Sequence, residues 1–167
     1  MNIISEPLNE SHGLSSFTSG KPSLDDWLRG SAMRGQTQGT GRTWVWHEGD
    51  GTVIAYFTLV GHVIHGESLS KTQARSLPSE IPSILLAKLA LDTHYHGDGL
   101  GGELLREALS KAVGAAQIVG ARYLVVDALD DDACGFYAKY GFVPLPAGPS
   151  MRLHRRLRDI ASDLAGD

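Results

Sequence analysis

The segment Gly97-Asp98-Gly99-Leu100-Gly101-Gly102 puts glycines where a strand-like run gives way to a helical one. The first turn of a helix has N–H groups without intrahelical acceptors and carries the positive end of the helix dipole. Glycine lets a backbone approach an anion closely, so a diphosphate is the natural guest. The chain has no Gly-Lys-Ser/Thr, which sets aside a P-loop, and it lacks the full dinucleotide fingerprint with its following ribose-binding acid. A plain tight turn from strand to helix uses the same glycines, so the segment by itself leaves both uses open.

Other side chains invite chemistry more weakly. Cys134 suggests an acyl-enzyme, but nothing resembling a histidine partner lies near it in sequence. Asp92, His94 and His96 suggest a metal, yet they fall in a short stretch that also reads as a loop before the glycine turn, and no metal is expected. Arg29, Arg34 and Arg42 share one segment, Lys71, Arg75 and Lys88 another, and Arg152, Arg155, Arg156 and Arg158 crowd the C-terminal end. Such clusters are either solvated faces or contacts for an anionic partner.

Elements must position these groups. Residues 3–8 read as a first strand. Ser23 reads as a helix N-cap with Asp26 three residues on, and Leu24, Trp27, Leu28 and Ser31 give a helix over 24–34. Gly35–Gly41 reads as loop. Residues 43–47 and 52–65 are strand-like around the turn Gly49-Asp50-Gly51, a hairpin. Residues 66–82 read as loop with a short helix, and Ser83–Leu91 as a buried strand. The apolar stripe Leu100, Leu104, Leu105, Ala108, Leu109, Ala112, Val113 and Ala116 makes a long helix that Gly120 can end. A strand at 123–128, a helix at 131–139 opened by Asp130-Asp131-Asp132 and closed by Gly141, and strands at 142–145 and 150–157 follow. Residues 158–167 read as a polar tail or short helix. The order predicts an α/β (α+β) fold with a mixed, mostly antiparallel sheet of six to seven strands flanked by helices.

The chain has 167 residues, which suits one domain, residues 1–167, with one sizeable core. No apolar run is long enough to cross a bilayer, and the N-terminus lacks a basic stretch followed by an apolar one. A single cysteine excludes an intrachain disulfide and fits a reducing cytoplasm. The net charge of −4 argues against a generic nucleic-acid binder without excluding a local basic face.

Two motifs carry a resemblance. His96-Gly97-Asp98-Gly99-Leu100-Gly101, after the strand Leu86–Asp92, resembles the Gln/Arg-x-x-Gly-x-Gly/Ala signature of the GNAT acetyltransferases, and Ala133–Phe142 resembles their A-x-x-F-Y-x-x-x-G-F helix and strand. The resemblance implies the GNAT fold and acetyl-CoA as acetyl donor. It implies that Leu89, Ala90 and Leu91 flank the pantetheine arm, that His96, Gly97, Asp98, Gly99, Leu100, Gly101 and Gly102 hold the diphosphate, and that Phe136 and Tyr140 complete the pocket. It places the catalytic acid at Tyr137. A phenol has a pKa of about 10 and is protonated at neutral pH, so it can give a proton to the departing thiolate. His96 stands where relatives have Gln or Arg, and Asp98 where many have Arg or Lys, which puts a repulsive charge near the phosphates.

Trp27-Leu28-Arg29, Gly39 to Thr43, Pro82 to Asp92 and Leu129 to Phe142 make nearly the whole chain similar to the GNAT toxins of bacterial type II toxin–antitoxin pairs. That similarity implies acetylation of the α-amine of aminoacyl-tRNA, a ribbon-helix-helix antitoxin, a homodimer and no membrane. No general base stands out: Glu67, Glu80 and Asp92 qualify by type only. An α-amine, with a pKa of about 7.7 against about 10.4 for lysine, needs one least. Arg29, Arg34, Arg42, Lys88, Arg152 and Arg155, with their C-terminal neighbours, are then the candidates for tRNA phosphates. The rivals are acetylation of a small amine or protein, and a weakly catalytic acyl-CoA-binding regulatory module.

Overall fold

Thr43, Val45 and His47 alternate with Arg42, Trp44 and Trp46, and side chains two apart share one face of a strand. In the computed structural model, which describes residues 2–166, this stretch is β2 (Arg42–His47). The other strands are β1 (Ile4–Pro7), β3 (Ala55–His65), β4 (Glu80–Leu91), β5 (Tyr123–Asp127), β6 (Val143–Pro144) and β7 (Arg152–Arg156). They form a seven-stranded sheet in the order β1-β2-β3-β4-β5-β7-β6. β1 with β2, β2 with β3, β5 with β7 and β6 with β7 are antiparallel, whereas β4 and β5 are parallel from Ser83 opposite Tyr123 to Leu86 opposite Val126. Parallel neighbours need a long crossover, and α4 (Leu100–Ile118) provides it. The expected mixed, mostly antiparallel sheet flanked by helices is the one found.

The chain forms two compact units, Met1–Val60 with Ala87–Ala108, and Gly61–Leu86 with Leu109–Asp167. The first is built on Leu8, Phe17, Leu28, Val45, Val53 and Tyr56, all buried, with Trp27 and Leu24 packed against them. The Tyr56 hydroxyl donates to the Leu24 carbonyl at 2.7 Å, so the ring's polar end is satisfied inside the core. The second is built on Ile64, Leu69, Ile81, Tyr123, Val125 and Leu145.

Several boundaries differ from those expected. The first helical run covers α1 (Pro22–Trp27), a π turn (Leu28–Ala32) and α2 (Met33–Gln38), so it continues through Gly35 to Gly39, whose φ of 76° ends it. Gln36 explains the extension: its side chain donates to the Leu8 and Thr43 carbonyls and accepts from the Thr43 amide, tying the last turn to the sheet. Ser23 is not the cap. Lys21 occupies that position and Pro22 opens the helix, where its missing N–H costs nothing. Residues 52–54 precede β3 because the Val53 amide bonds to Gly13 instead of continuing the strand. β4 starts earlier, at Glu80, with Pro82 inside it; Pro82 offers only a carbonyl, which accepts the Arg122 amide at 2.8 Å. α3 (Lys71–Ala74) is the short helix expected in 66–82, and α5 (Asp131–Ala138) matches the expected helix at 131–139. The C-terminal segment forms a short helix rather than a polar tail, α6 (Leu157–Ala165), which buries Leu157 and Ile160; Asp167 lies outside the described residues.

A clasp joins β1 to the end of β2. His12 Nδ1 accepts the Asn9 amide at 3.0 Å, and His47 Nδ1 accepts the Gly49 and Gly51 amides at 3.0 and 3.2 Å. Each ring therefore carries its proton on Nε2, and both Nε2–H groups donate to Glu6 Oε1, at 2.8 and 2.7 Å. A metal-bound histidine ordinarily donates its other N–H to an acceptor. Here the other nitrogens face donors, so the trio suits hydrogen bonding rather than an ion. The bonds from His12 and then His47 hold the Glu6 carboxyl below its ordinary value of 4.5. Its contribution to stability is complete above that value and is lost as pH falls through the lower, folded one. Urea midpoints measured from about pH 6 to about pH 3 are expected to fall less steeply in Glu6→Gln than in the native chain; equal slopes would remove Glu6 from the acid limb.

Candidate functional site

β4 continues past Leu86, the last of its residues paired with β5, through Leu89, Ala90 and Leu91. Asp92 ends it. This carboxylate is buried and accepts the Thr18 amide on one oxygen and the His94 amide on the other, both at 3.0 Å. Burial alone pushes its pKa up, but the His94 and Thr18 amides and the His94 ring outweigh burial and hold it below the usual range. The Asp92 amide itself donates to Ile54. The exit from β4 is therefore fixed from three directions.

His96 follows a single helical turn at Thr93–Tyr95 and uses Nε2 to donate to the Leu91 carbonyl at 2.7 Å. It braces the loop back onto the strand that the loop leaves. Gly97 and Gly99 have φ of 94° and 78°, the left-handed region where other residues are strained. An added Cβ at Gly97, Gly99 or Gly101 would meet nothing within 4 Å. Among the described residues, the Gly97, Asp98 and Gly99 amides reach no acceptor, and the Leu100, Gly101 and Gly102 amides lie in the first turn of α4. A row of unpaired donors among glycines with open space beside their α-carbons, at the positive end of a 19-residue helix, fits a diphosphate. Asp98 is exposed.

α5 presents Tyr137. Asp130 caps the helix by accepting the Ala133 amide at 2.9 Å. Tyr137 is 7% exposed, packed edge-on against Phe136 and Phe142 with centroids at 5.4 and 5.9 Å. Tyr140 packs on Phe136 at 5.4 Å, so Phe136, Tyr137 and Tyr140 form one cluster. Burial raises the Tyr137 pKa, so the phenol keeps its proton at neutral pH. Its hydroxyl has no hydrogen-bond partner among the described residues, which leaves that proton available. Gly141 turns the chain after α5 with φ of 85°, and Arg155 Nε lies 2.8 Å from where a Cβ would stand.

The arginines differ in how far they are already committed. Arg152 is paired in two places with Asp127, at 2.7 and 2.8 Å, and Arg155 with Asp163. Arg29 bonds to the Phe17 carbonyl and Asp26. Arg34 and Arg42 are exposed and, among the described residues, bond only to Ser31 Oγ and the Gln36 carbonyl, so no described carboxylate neutralises either charge. Lys88 stands 5.4 Å from the centre of the Trp27 ring. Asp92, His94 and His96 do not gather as ligands: His94 bonds to Asp92 and His96 to Leu91. Arg122 was not singled out by the sequence, where it stands alone between Ala121 and Tyr123; the Glu6, His12 and His47 trio was also missed, because the three residues lie far apart in the chain.

Comparison with known proteins is consistent throughout. Residues 39–144 match the model of the acetyltransferase (GNAT) domain. The tRNA-acetylating toxin of Mycobacterium tuberculosis (strain ATCC 25618 / H37Rv) is 38% identical over 161 residues, 96% of this chain and 95% of that protein. The toxin AtaT complexed with acetyl-methionyl-tRNAfMet has a TM-score of 0.89 at 27% identity, covering 96% of this chain and 98% of that one. A tyrosine-to-phenylalanine mutant of AtaT bound to the C-terminus of the antitoxin AtaR and acetyl-CoA has a TM-score of 0.83 at 25% identity, covering 97% and 98%.

Asp92→Ala leaves the Thr18 and His94 amides without acceptors. It is expected to lower the unfolding free energy by about 1–3 kcal/mol and to speed amide hydrogen exchange at those two residues; exchange unchanged from the native protein would show that Asp92 does not hold the loop.

Proposed function

We propose, from the premise that this chain belongs to the GNAT acetyltransferases, that it acetylates the α-amine of an aminoacyl-tRNA and so blocks translation. The observation that carries the reading is the row of unpaired amides from Gly97 to Gly102 at the start of α4. Acetyl-CoA supplies the acetyl group as an activated thioester. The main chain of Leu89 and Leu91 pairs with its pantetheine arm as an added strand, and the amides of the glycine loop hold its diphosphate. Asp98 weakens that hold through its charge. Phe136 and Tyr140 wall the acid.

Tyr137 serves as the acid. As the amine nitrogen bonds to the acetyl carbon and the carbon–sulfur bond breaks, Tyr137 gives its proton to sulfur, and the surplus proton of the nitrogen returns through water to the Tyr137 phenolate. The amine must arrive neutral. An α-amine with a pKa of about 7.7 is partly neutral near pH 7, so direct attack in a ternary complex needs no strong base.

The acceptor and the existence of an antitoxin partner are supported by the relatives, which include a tRNA-acetylating toxin and AtaT bound to the antitoxin AtaR. Arg34 and Arg42, exposed and not neutralised, are the leading contacts for tRNA phosphates, with Lys88 beside Trp27 next. Arg152 and Arg155 are weaker candidates because Asp127 and Asp163 already engage them. A ribbon-helix-helix antitoxin, a homodimer and a cytoplasmic setting complete the reading. Among the described residues no helix is long and apolar enough to cross a membrane. The family match over residues 39–144 supports reading the chain as a single acetyltransferase domain, residues 1–167.

Incubation with labelled acetyl-CoA and total charged tRNA is expected to label the aminoacyl amine. Tyr137→Phe should lower turnover by roughly 10²–10⁴-fold while sparing acetyl-CoA binding, and should relieve growth arrest on expression. Label on a free small amine or a protein, with none on tRNA, would replace the acceptor; full turnover in Tyr137→Phe would remove the acid. Arg34→Glu combined with Arg42→Glu should raise the KM for charged tRNA by roughly tenfold at low salt and flatten its salt dependence by about two in log–log slope. An unchanged salt slope would assign the tRNA face elsewhere.

A further inference from the structure

The second unit carries two adjoining cavities whose linings include neither the glycine loop nor Tyr137. One, of about 390 Å³, is walled by Leu77, Pro78, Ile81 and Pro82 and edged by Arg122, Arg156 and Arg158. The other, of about 670 Å³, shares Arg122 and Arg156 with it and adds Arg75 and Arg155. Asp159 pairs with Arg156 and Asp163 with Arg155. Among the described residues no carboxylate reaches Arg75, Arg122 or Arg158. On a chain of net charge −4 this is a local excess of positive charge.

A second observation also points to a ligand. The Nε atoms of Arg122 and Arg156 are buried and have no hydrogen-bond partner among the described residues. A buried donor left unpaired costs stability, and costs more when the group is charged. The frame around Arg122 is rigid: its amide donates to Pro82 at 2.8 Å and its carbonyl accepts from Leu157 at 2.9 Å. Directly before Gly120, which lines the smaller cavity, Ile118 and Val119 stand 85% and 71% exposed.

We propose that this surface docks an acidic peptide segment of a protein partner, with an aliphatic side chain in the smaller cavity and carboxylates on Arg122, Arg156 and Arg158. Guanidinium forks match carboxylates as well as phosphates, so charge alone would also admit RNA. The apolar wall decides between them. A nucleic-acid backbone offers no aliphatic group for a cavity lined by leucine, isoleucine and prolines, and both aromatic rings lining the larger cavity, Tyr123 and His154, are buried at 4% and 3% exposure and give bases nothing to stack on. A leucine flanked by glutamates satisfies the apolar wall and the arginines together. Ile118 and Val119 extend the apolar contact beyond the cavity.

The inference rests on the partner reading above only in that a protein partner exists. Its test measures binding without acetyl-CoA or tRNA, so it stands or falls apart from acetyl transfer. The full chain is titrated with a panel of fluorescent peptides of about twelve residues rich in Glu and Leu, with the same peptides carrying Gln for Glu, and with the same peptides carrying Ser for Leu. Salt-sensitive binding of the Glu/Leu peptides is expected, with both substituted series at least roughly tenfold weaker. The side-chain Nε–H resonances of Arg122 and Arg156 should shift on binding. Arg158→Ala and Val119→Ser, both at exposed positions and so harmless to folding, should each weaken the Glu/Leu peptides by roughly three- to tenfold. The proposal is overturned if no Glu/Leu peptide binds, if the Gln or Ser series binds equally well, or if uncharged tRNA moves the two arginine resonances and the peptides do not.

Discussion

A helix that opens with donors it cannot satisfy needs an acceptor from outside itself, and α4 opens in this way. Its first-turn amides follow those of Gly97, Asp98 and Gly99, which meet no acceptor among the described residues, on a backbone that two left-handed glycines turn. The arrangement survives because its surroundings are over-determined. Asp92 accepts from Thr18 and His94, its amide donates to Ile54, and His96 reaches back to Leu91. Each bond fixes where β4 stops, and that fixes where the free donors begin. Main-chain donors do not depend on side-chain charge, so Asp98 leaves them in place.

Tyr137, the proposed acid, is held by a different kind of constraint. Tyr137 sits in a short helix whose start is capped by Asp130 and whose end is turned by Gly141, and two aromatic neighbours, Phe136 and Phe142, take up its ring. Burial raises its pKa and so guards the proton, while the absence of a protein acceptor among the described residues leaves that proton uncommitted. A phenol hydrogen-bonded to a carboxylate is in the opposite position. Tyr95 shows the contrast: its bond to Glu48 pushes its pKa up to about 12 and ties its proton to that partner.

Charge is distributed with the same economy. Two arginines expected to serve the substrate, Arg152 and Arg155, are already engaged by Asp127 and Asp163 within the second unit. Arg34 and Arg42 remain unneutralised on the first. Arg122, isolated in sequence, lies between two cavities with its Nε unpaired. A count of basic residues by segment does not separate these cases, because what matters is whether a carboxylate from another strand or helix arrives beside each one.

The sequence by itself determined whatever depends on local periodicity and on short motifs: the strand β2, the long stripe of α4, the capped α5, the glycine turn between β4 and α4, and the aromatic pair at Phe136 and Tyr137. These are legible because each is specified within one or two turns of chain. Only the tertiary structure decided what depends on distant partners. Gln36 carries the first helix past Gly35 by bonding to β2, and Gly13 keeps residues 52–54 out of β3. His12 and His47 meet at Glu6 although they belong to separate stretches. Leu157 and Ile160 had the spacing of a helix face, yet their polar neighbours masked it until burial showed which side was covered. The physical reason is common to all of these: a hydrogen bond or a buried side chain counts only once its partner has been brought to it, and no pattern along a single segment encodes the arrival of another.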